Sequence, residues 1–451
     1  GECLRHSLVP IATIRNSRAP GEPTRKLVVV STYTPRIVDS ELDELLKQLP
    51  AVALEGAKGV GKTATAERRA NTIFRLDSPA QRELAIADPA TLLNASPPIL
   101  LDEWQHAPAV WDAVRRAVDR KVTPNRFLLT GSASPTTPPT HSGAGRIVTV
   151  RMRPLALSER GLGMPTVSVR KLLAGRRAAI TGHTDVALAD YAREIVMSGF
   201  PGVRHLTGRT LRAQLDGYLS RIVQRDFLDQ GHPVRKPETL RRWMAAYAAA
   251  TATTTTLEKI RSAAIGRDGE TPARTTVDAY REVLHQLWVV DPVPGWLPSR
   301  NRLTRLSQAP KHHLADAALA ARLLGVDEGG LLTGTGPVLP GDGSLFGHLF
   351  ESMVTQSVRV YAQAAEANVY HLREKDGRHE IDLIVERADQ RVLAIETKLG
   401  NSVGDEQVKH LLWLKEQLRD NVLDTIIVTT GADAYRRADG VAVVPAALLG
   451  P

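Results

Sequence analysis

Apolar and polar positions along the chain first outline a helix, a strand, a glycine-rich turn and a second helix. Apolar side chains recur near the helical spacing over residues 36–49, with acidic residues between them, which predicts a helix. A short apolar run over residues 51–55 predicts a buried strand, and strong helix formers follow over residues 64–71. The stretch between strand and second helix, Gly56 to Thr63, is rich in glycine.

The same alternation continues to about residue 152. Apolar runs predict strands over residues 71–77, 98–105, 126–132 and 147–152, and helical patterns cover residues 78–93 and 107–119. Residues 133–142 are rich in proline, serine and threonine, which indicates a mobile loop. Alternating strands and helices are typical of an α/β domain built on a parallel sheet.

The middle of the chain is mainly helical in pattern. Residues 191–201 and 211–230 predict amphipathic helices with a glycine-proline break between them. Helices over residues 239–250, 257–265 and 276–286, followed by a strand over residues 287–290, have the order of a winged-helix module. The third of these helices has a mixed and not a basic face, formed by Asp278, Arg281, Glu282 and His285. DNA binding and a protein-packing role both stay open for this module.

The C-terminal part returns to an alternating pattern. It predicts a helix over residues 346–361, three strands over residues 369–373, 381–385 and 391–398, a helix over residues 405–418 and a strand over residues 425–429. The second and third strands are close enough in sequence to form a hairpin. The resulting order is α-β-β-β-α-β.

Composition limits the class of protein. The chain has 451 residues, too many for one ordinary core, and its formal charge of +9 permits nucleic-acid partners without identifying them. Its single cysteine, Cys3, argues against a disulfide framework and a structural zinc site, and favours a reducing cytoplasm. We find neither a run of about 18 apolar residues nor a signal-peptide pattern, so no membrane association is expected. Residues 1–30 predict a poorly ordered arm.

The glycine-rich stretch fits the P-loop pattern G-x-x-x-x-G-K-[ST] at every fixed position. Its backbone N–H groups would surround the phosphates of ATP, Lys62 would reach the β- and γ-phosphates, and Thr63 would bind Mg²⁺. The remaining predicted cofactor-binding residues of the loop are Gly56, Lys58, Gly59 and Gly61. The alternative is a glycine-rich turn without a ligand.

Further residues in this region have the chemistry of nucleotide hydrolysis. Asp102 and Glu103 end an apolar strand, where Asp102 would hold the water shell of Mg²⁺ and Glu103 would orient the attacking water. Asp102 as a helix cap is the alternative. Thr130 or Ser132, at the end of the next strand, would contact the γ-phosphate or the water, unless they only form a turn. Arg146 is a candidate arginine finger, within its own chain or toward a neighbour, or else a solvated side chain.

A second group of candidate catalytic residues lies near the C-terminus. Asp382 and Glu396 lie on neighbouring predicted strands and can converge on one Mg²⁺, and Lys398 points to the same face because strand side chains alternate. Glu351, on the preceding helix, can support this site. Such a site would hydrolyse a phosphodiester, with Lys398 stabilising the developing charge. The alternative is a set of ordinary edge-strand charges.

The order of these motifs resembles the AAA-type ATPases of bacteria and archaea that carry a fused DUF4143 segment, over most of residues 35–450. The resemblance rests on the P-loop, Asp102-Glu103, the Leu-Leu-Thr-Gly-Ser strand and Arg153-Pro154-Leu155. It implies that Lys62, Thr63, Asp102 and Glu103 are the Walker A and B residues, Ser132 the sensor and Arg146 the arginine after the mobile loop. The C-terminal part also resembles the PD-(D/E)xK nuclease fold.

The expected fold class is therefore α/β, and five segments are expected in chain order. They are an arm (1–30), a P-loop ATPase domain (31–160), a helical region (161–235), a winged-helix-like module (236–330) and a nuclease-like domain (331–451). The expected function is an ATP-binding and ATP-hydrolysing switch coupled to a nuclease-like, nucleic-acid-binding domain. The alternative is a regulator that binds DNA or protein without cutting, and a third reading is an assembly factor. ATP, Mg²⁺, DNA and a second copy of the chain are the candidate partners.

Overall fold

A parallel five-stranded sheet organises the first part of the molecule. Its strands are β1 (Ala51–Glu55), β2 (Thr72–Arg75), β3 (Ile99–Asp102), β4 (Phe127–Gly131) and β5 (Val148–Arg151). Their order across the sheet is β2-β3-β4-β1-β5, and every neighbouring pair is parallel. The carboxyl ends of β1 and β3, which lead into the P-loop and the Asp102-Glu103 pair, therefore meet at one edge of the sheet. The expected α/β class and parallel sheet are confirmed.

The computed structural model describes residues 33–451 apart from residues 136–138, 141, 176, 266–268, 270, 299–307, 335–343 and 375–376. The arm predicted over residues 1–30 and Cys3 lie outside the described residues. Within the described ranges, no helix has both the length and the apolar character needed to cross a membrane.

Five helices accompany the first sheet. They are α1 (Ile37–Leu46), α2 (Lys62–Glu67), α3 (Pro79–Ala87), α4 (Pro89–Leu92) and α5 (Ala109–Arg120). The single helix predicted over residues 78–93 is divided in two. Asp88 ends the first part and caps the second, because its carboxylate accepts hydrogen bonds from the N–H groups of Ala90 and Thr91 and is followed by Pro89.

The middle of the chain is helical, as predicted. Its helices are α6 (Val169–Leu173), α7 (Leu188–Met197), α8 (Gly208–Arg221), α9 (Phe227–Asp229), α10 (Pro237–Ala249), α11 (Leu257–Ala263), α12 (Arg274–Gln286), α13 (Ala317–Leu323) and α14 (Glu328–Thr333). A π-helical turn, Ile222–Asp226, joins α8 to α9. The strand predicted over residues 287–290 does not form, because α12 is followed by a turn in which Trp288 has a φ of 60°. Only an isolated bridge between Val290 and Leu314 remains there.

The C-terminal part has the predicted α-β-β-β-α-β order. It comprises α15 (Leu345–Ala364), β9 (Asn368–Arg373), β10 (Glu380–Glu386), β11 (Val392–Lys398), α16 (Asp405–Leu418) and β12 (Val422–Thr429), followed by β13 (Asp433–Arg436) and β14 (Ala442–Pro445). The last two strands were not predicted. With β7 (Gly182–His183) and β8 (Gly295–Trp296) these strands form one sheet of order β7-β13-β14-β12-β11-β10-β9-β8. Two further strands, β6 (Val167–Ser168) and β15 (Leu449–Gly450), form a separate parallel two-stranded sheet.

Among the described residues, the largest of three hydrophobic clusters extends through all these parts. It includes Val52 of the first sheet, Leu211 and Trp243 of the middle helices, and Leu349 of α15. The long helix α15 contacts α1, α6, α7, α13 and strands of the C-terminal sheet. The described chain from Thr34 to Pro451 therefore forms one contiguous structural unit. The five segment boundaries given above stay predictions.

Candidate functional site

The backbone of the P-loop depends on glycine at two positions. Gly56 has a φ of 158°, and a side-chain carbon there would lie 2.1 Å from the carbonyl oxygen of Met152. Gly61 has a φ of 100° and immediately precedes α2. Both conformations are readily accessible only to glycine. The loop therefore turns tightly from β1 into α2, as the motif predicts.

Lys62 is turned back into this loop. Its ammonium donates hydrogen bonds to the carbonyl oxygens of Gly56 (2.8 Å) and Ala57 (2.9 Å), and the residue is 4% exposed. Burial lowers the pKa of Lys62 to about 8, although the carboxylates of Glu103 and Asp102 act in the opposite direction. The ammonium is thus held by weak, uncharged partners that phosphate oxygens can replace.

Thr63 and Asp102 come together at the edge of the sheet. The Thr63 hydroxyl donates to a carboxylate oxygen of Asp102 at 2.7 Å, and the Thr130 hydroxyl donates to the same oxygen. Burial raises the pKa of Asp102, and these two hydrogen bonds oppose the rise. Asp102 does not cap α5, since Pro108 occupies the capping position. A hydroxyl beside a carboxylate is a donor set that suits Mg²⁺, so these residues fit the expected ion.

Glu103 is fixed by two neighbouring side chains. It has a φ of 55°, in the left-handed region, and begins the short turn Trp104–His106. Its carboxylate accepts a hydrogen bond from Ser132 at 2.6 Å and another from the amide of Gln105. The Gln105 amide also lies 3.1 Å from the Ser132 hydroxyl. The structure therefore brings the predicted water-orienting acid and the predicted sensor together, and adds Gln105, which we did not predict.

The outer side of the P-loop touches the helical region. The Lys58 ammonium lies 2.6 Å from the carboxylate of Asp226, at the end of the π-helical turn. The Tyr218 hydroxyl donates to the carbonyl oxygen of Lys58 at 3.2 Å, and a side-chain carbon at Gly59 would lie 3.8 Å from the ring of Phe200. Lys58 is thus engaged by protein partners on the side of the loop that faces the helices.

A buried arginine that we did not predict holds the backbone of the P-loop through a hydrogen bond. The guanidinium of Arg36 donates to the carbonyl oxygens of Val60 and Arg153, at 2.7 Å each, and pairs with Glu159 at 3.1 Å. Only 3% of its side chain is exposed. Its position just before α1 carries no motif, so a local pattern could not reveal it.

Arg146 is not brought to the P-loop of its own chain. It precedes β5, and because Val148 pairs with Val52 in a parallel register, Arg146 lies level with the start of β1. At about 3.3 Å per residue, five to six residues separate it from the P-loop by roughly 17–20 Å, beyond the reach of an arginine side chain. It pairs instead with Asp119 of α5 at 2.7 Å. The predicted finger role within one chain is therefore corrected, and a role toward a neighbouring chain stays a prediction.

Asp291 connects three arginines from different parts of the chain. Its carboxylate lies 2.8 Å from Arg153 and 3.6 Å from Arg151, both close to β5, and 3.0 Å from Arg359 of α15. Burial alone would raise the pKa of Asp291, but the three guanidinium groups lower it well below its usual range. Arg151 also stacks on Trp288, with 3.8 Å between the guanidinium carbon and the ring centre.

The C-terminal candidate residues also assemble, but around an ammonium group. We call Glu351, Glu380, Asp382 and Glu396 the acidic cluster. The buried ammonium of Lys311 lies 2.8 Å from Glu351, 3.0 Å from Asp382 and 3.5 Å from Glu380. Burial alone would lower the pKa of Lys311, but these carboxylates raise it well above its usual value. Lys311 is therefore a cation inside the cluster.

Asp382 and Glu396 of the acidic cluster have further protein partners. The second oxygen of Asp382 accepts from the N–H (2.9 Å) and the hydroxyl (2.8 Å) of Thr397, and Glu396 pairs with Lys398 at 3.1 Å. Across the described residues, no group of three or more His, Cys, Asp or Glu side chains is arranged to hold a metal ion. The residues do not fit the Mg²⁺ expected between Asp382 and Glu396, because Lys311 supplies the positive charge there.

Sequence reasoning had no means of finding Lys311. It lies in the run Lys311-His312-His313, outside the predicted helices and strands, and its carboxylate partners follow some 40 to 71 residues later. A pairing of this kind leaves no periodic signal. The unusual feature is a Lys-His-His triplet directly before the apolar run that begins at Leu314.

Comparison with known proteins finds three family models along the chain. An AAA domain model (AAA_14) matches residues 48–160, and two domains of unknown function, DUF8612 and DUF4143, match residues 188–329 and 346–449. Uncharacterised proteins of Mycobacterium bovis and Mycobacterium tuberculosis are each 26% identical over 298 residues, covering 64% of this chain and 59% of each relative. The match thus spans less than two thirds of these relatives' length. A Walker-type ATPase of Pyrococcus abyssi is 17% identical with a TM-score of 0.36, over 63% of this chain and 94% of that one.

Proposed function

We propose, from the premise that this chain is an AAA-type ATPase with a C-terminal DUF4143 segment, that it binds ATP with Mg²⁺ and hydrolyses it as a molecular switch. The observation that carries the proposal is the contact of 2.7 Å between the Thr63 hydroxyl and the Asp102 carboxylate. It joins the two halves of a P-loop nucleotide site, which are 39 residues apart in sequence.

Each residue at this edge of the sheet has a role in the proposed hydrolysis. Lys62 leaves the carbonyl oxygens of the loop and pairs with the β- and γ-phosphates. Thr63 and Asp102 would hold Mg²⁺, which when bound neutralises charge on these phosphates. Glu103 accepts a hydrogen bond from the attacking water and orients it toward the γ-phosphate. Ser132 and Gln105 keep the Glu103 carboxylate in place.

The test is Mg²⁺-dependent ATP hydrolysis by the full chain, beside binding of ATP. We expect Lys62→Ala to lose binding and turnover, and Glu103→Gln to keep binding and lose turnover. Lys121→Ala, at an exposed lysine beyond α5, is the matched control and should behave as the wild type. A wild-type protein that neither binds nor hydrolyses ATP would contradict the proposal.

The switch would pass its state to the rest of the chain through the P-loop itself. Lys58 and Tyr218 connect the loop to the helical region, and Asp291 connects the strand beside β1 to α15. Phosphate binding at Lys62 changes the charge and hydrogen bonding of the same short loop. We therefore expect a shift of the loop to change the contacts at both connections.

The proposal also concerns what the switch controls, which is either DNA cleavage or binding without cleavage. A nuclease-like domain that cuts DNA and a regulator that binds DNA or protein without cutting were both open from the sequence. The ammonium of Lys311 in the acidic cluster favours the second. On the winged-helix-like module, Asp278 lies 3.6 Å from Arg281 and 3.9 Å from Arg274, so charges on α12 are balanced within the helix, which favours a packing role over phosphate binding.

A DNA cleavage assay separates these outputs. We expect no Mg²⁺-dependent cleavage by the wild type, whereas cleavage that disappears in Glu396→Ala would support a nuclease. Stimulation of ATP hydrolysis by DNA would identify nucleic acid as a partner, and an assembly factor predicts no such stimulation. A cytoplasmic location and self-association stay predictions, which fractionation of cells and light scattering would check.

A further inference from the structure

We infer that the acidic cluster of the DUF4143 segment is an internal cation site, filled by the chain's own Lys311 in place of a divalent metal ion. Lys311 lies in the middle part of the chain, before α13 and outside the residues that the DUF4143 model matches. Its insertion between Glu351 of α15 and Asp382 of β10 fastens this part of the chain to the C-terminal sheet. The inference goes beyond the proposed switch and does not depend on ATP hydrolysis.

Distances show why the ammonium and a metal ion exclude each other. Lys311 donates to one oxygen of Glu351 at 2.8 Å and to one oxygen of Asp382 at 3.0 Å. Mg²⁺ and Ca²⁺ need the same oxygens at about 2.0–2.6 Å. A divalent ion bound there would lie within a few ångström of a fixed positive charge, which is strongly unfavourable in a buried site. One of the two cations must leave before the other can bind.

The segment that carries Lys311 is held on several sides, so the ammonium cannot swing away easily. The backbone of Lys311 pairs with Val293 in an antiparallel bridge. His312 lies 2.7 Å from the carbonyl oxygen of Thr255, and His371 of β9 lies 2.9 Å from the carbonyl oxygen of Ala309. Lys311 itself is 1% exposed. Withdrawal of the side chain would therefore require these backbone and side-chain contacts of the segment to break.

The carboxylates would be left unbalanced without Lys311. After removal of the ammonium, the positive groups described near these carboxylates are Arg373, which pairs with Glu380 at 3.3 Å, and Lys398, which pairs with Glu396 at 3.1 Å. Neither of them forms an ion pair with Glu351 or Asp382 in the described contacts. Buried carboxylates in this arrangement favour uptake of a hard cation.

The test uses Mn²⁺, followed by electron paramagnetic resonance and by the thermal unfolding midpoint, on the full chain without nucleotide. All variants carry Thr63→Ala, so that the P-loop does not contribute. We expect the parent to bind no Mn²⁺ at the cluster, and Lys311→Ala to bind one ion that raises its unfolding midpoint. The added change Asp382→Asn should abolish this binding, which assigns the ion to the cluster.

Two results would overturn the inference. One is Mn²⁺ binding by the parent that is lost on Asp382→Asn, and the other is a folded Lys311→Ala variant that gains no ion. If Lys311→Ala fails to fold, Lys311→Met, which keeps the length of the side chain without its charge, takes its place. A protein without ATPase activity that gives the expected Mn²⁺ results would refute the switch and leave this inference standing.

Discussion

Lys58 and Asp226 form an ion pair at 2.6 Å in which one partner is open to water and the other is not. The side chain of Lys58 is 41% exposed, whereas that of Asp226 is 5% exposed. An exposed ammonium that loses its partner is solvated by water, but a buried carboxylate that loses its partner is not. Loss of Lys58 should therefore lower the stability of the chain more than loss of the Asp226 charge.

This inequality predicts different results for the two single substitutions. Lys58→Ala should lower the stability of the chain by about 1–3 kcal/mol, because the Asp226 carboxylate remains buried without its partner. Asp226→Asn should change stability by less than about 1 kcal/mol. Chemical unfolding followed by tryptophan fluorescence would measure both. Equal losses, or a larger loss for Asp226→Asn, would show that the pair does not behave as its exposure indicates.

Gln105 is predicted to act as a positioning residue for Glu103. Gln105→Ala should lower kcat for ATP hydrolysis about tenfold or more, because the carboxylate that orients the water loses one of its two fixed partners. KM for ATP and the unfolding midpoint should change little, since Gln105 contacts neither Lys62 nor Thr63 in the described hydrogen bonds. Steady-state kinetics of Gln105→Ala beside Gln105→Glu would check this split. A rise in KM with unchanged kcat would assign Gln105 to binding instead.

The lowered pKa of Lys62 predicts how nucleotide binding depends on pH. In the free protein the pKa of Lys62 is lowered to about 8, and bound phosphates would raise it again. Below pH 8 the ammonium is already charged, so binding needs no proton. Above pH 8 binding must take up one proton, and affinity should fall about tenfold per pH unit until the pKa of the bound state is reached.

The stability of the free protein should change in the opposite sense. Burial disfavours the charged form of Lys62, so its destabilising effect is present below pH 8 and is relieved as the pH rises from about 8 toward the usual 10.5.

Titrations with a fluorescent ATP analogue between pH 7 and pH 9.5, at constant ionic strength, would measure the affinity predicted from the pKa of Lys62. A flat profile across this range would contradict the assignment.

Asp291→Asn is predicted to destabilise the whole chain. The substitution leaves Arg151, Arg153 and Arg359 without their shared carboxylate, and the loss of one partner from a buried ion pair costs about 3–5 kcal/mol. Because the pKa of Asp291 is lowered in the folded chain, its contribution is present above the usual carboxyl pKa and is lost as the pH falls through the lowered value. The variant should therefore lose part of the acid sensitivity of the wild type.

Thermal unfolding of Asp291→Asn at neutral and acidic pH would check both expectations. Asp389→Asn is the matched control, because Asp389 pairs with Arg391 at 2.8 Å on the surface, where water screens the pair, and its loss should change stability far less. A wild-type midpoint in Asp291→Asn would mean that the three arginines find other partners.

The tight turn of the P-loop could be predicted because its information is local. Gly56, Gly61 and Lys62 are required within eight consecutive residues, and each has a chemical reason that does not depend on the rest of the fold. The parallel sheet could be predicted for a similar reason, since buried strands leave short apolar runs. The division of one predicted helix at Asp88 and Pro89 is also local, and the proline was visible in the sequence.

The features that escaped prediction depend on pairings across the chain. Lys311 contacts Asp382, and Arg36 contacts Val60, through tertiary structure and not through any regular spacing in the sequence. Arg146 was assigned by its place in the order of motifs, but the register of β5 against β1 sets it at the far edge of the sheet. Trp288 stands in an apolar run that reads as a strand, although the chain turns there to bring the residue against Arg151.

The packing of α1 against α15 has a consequence for folding during synthesis on the ribosome. Gln363 donates a hydrogen bond to Glu41 at 2.8 Å, so contacts of the first described helix wait for residues that lie 322 positions later. At about 5–20 residues per second, the ribosome delivers these residues roughly 16–64 seconds after Glu41 has been joined. During that interval α1 lacks the contacts that α15 makes with it in the folded structure. We therefore expect α1 to reach its final packing only after α15 has been synthesised.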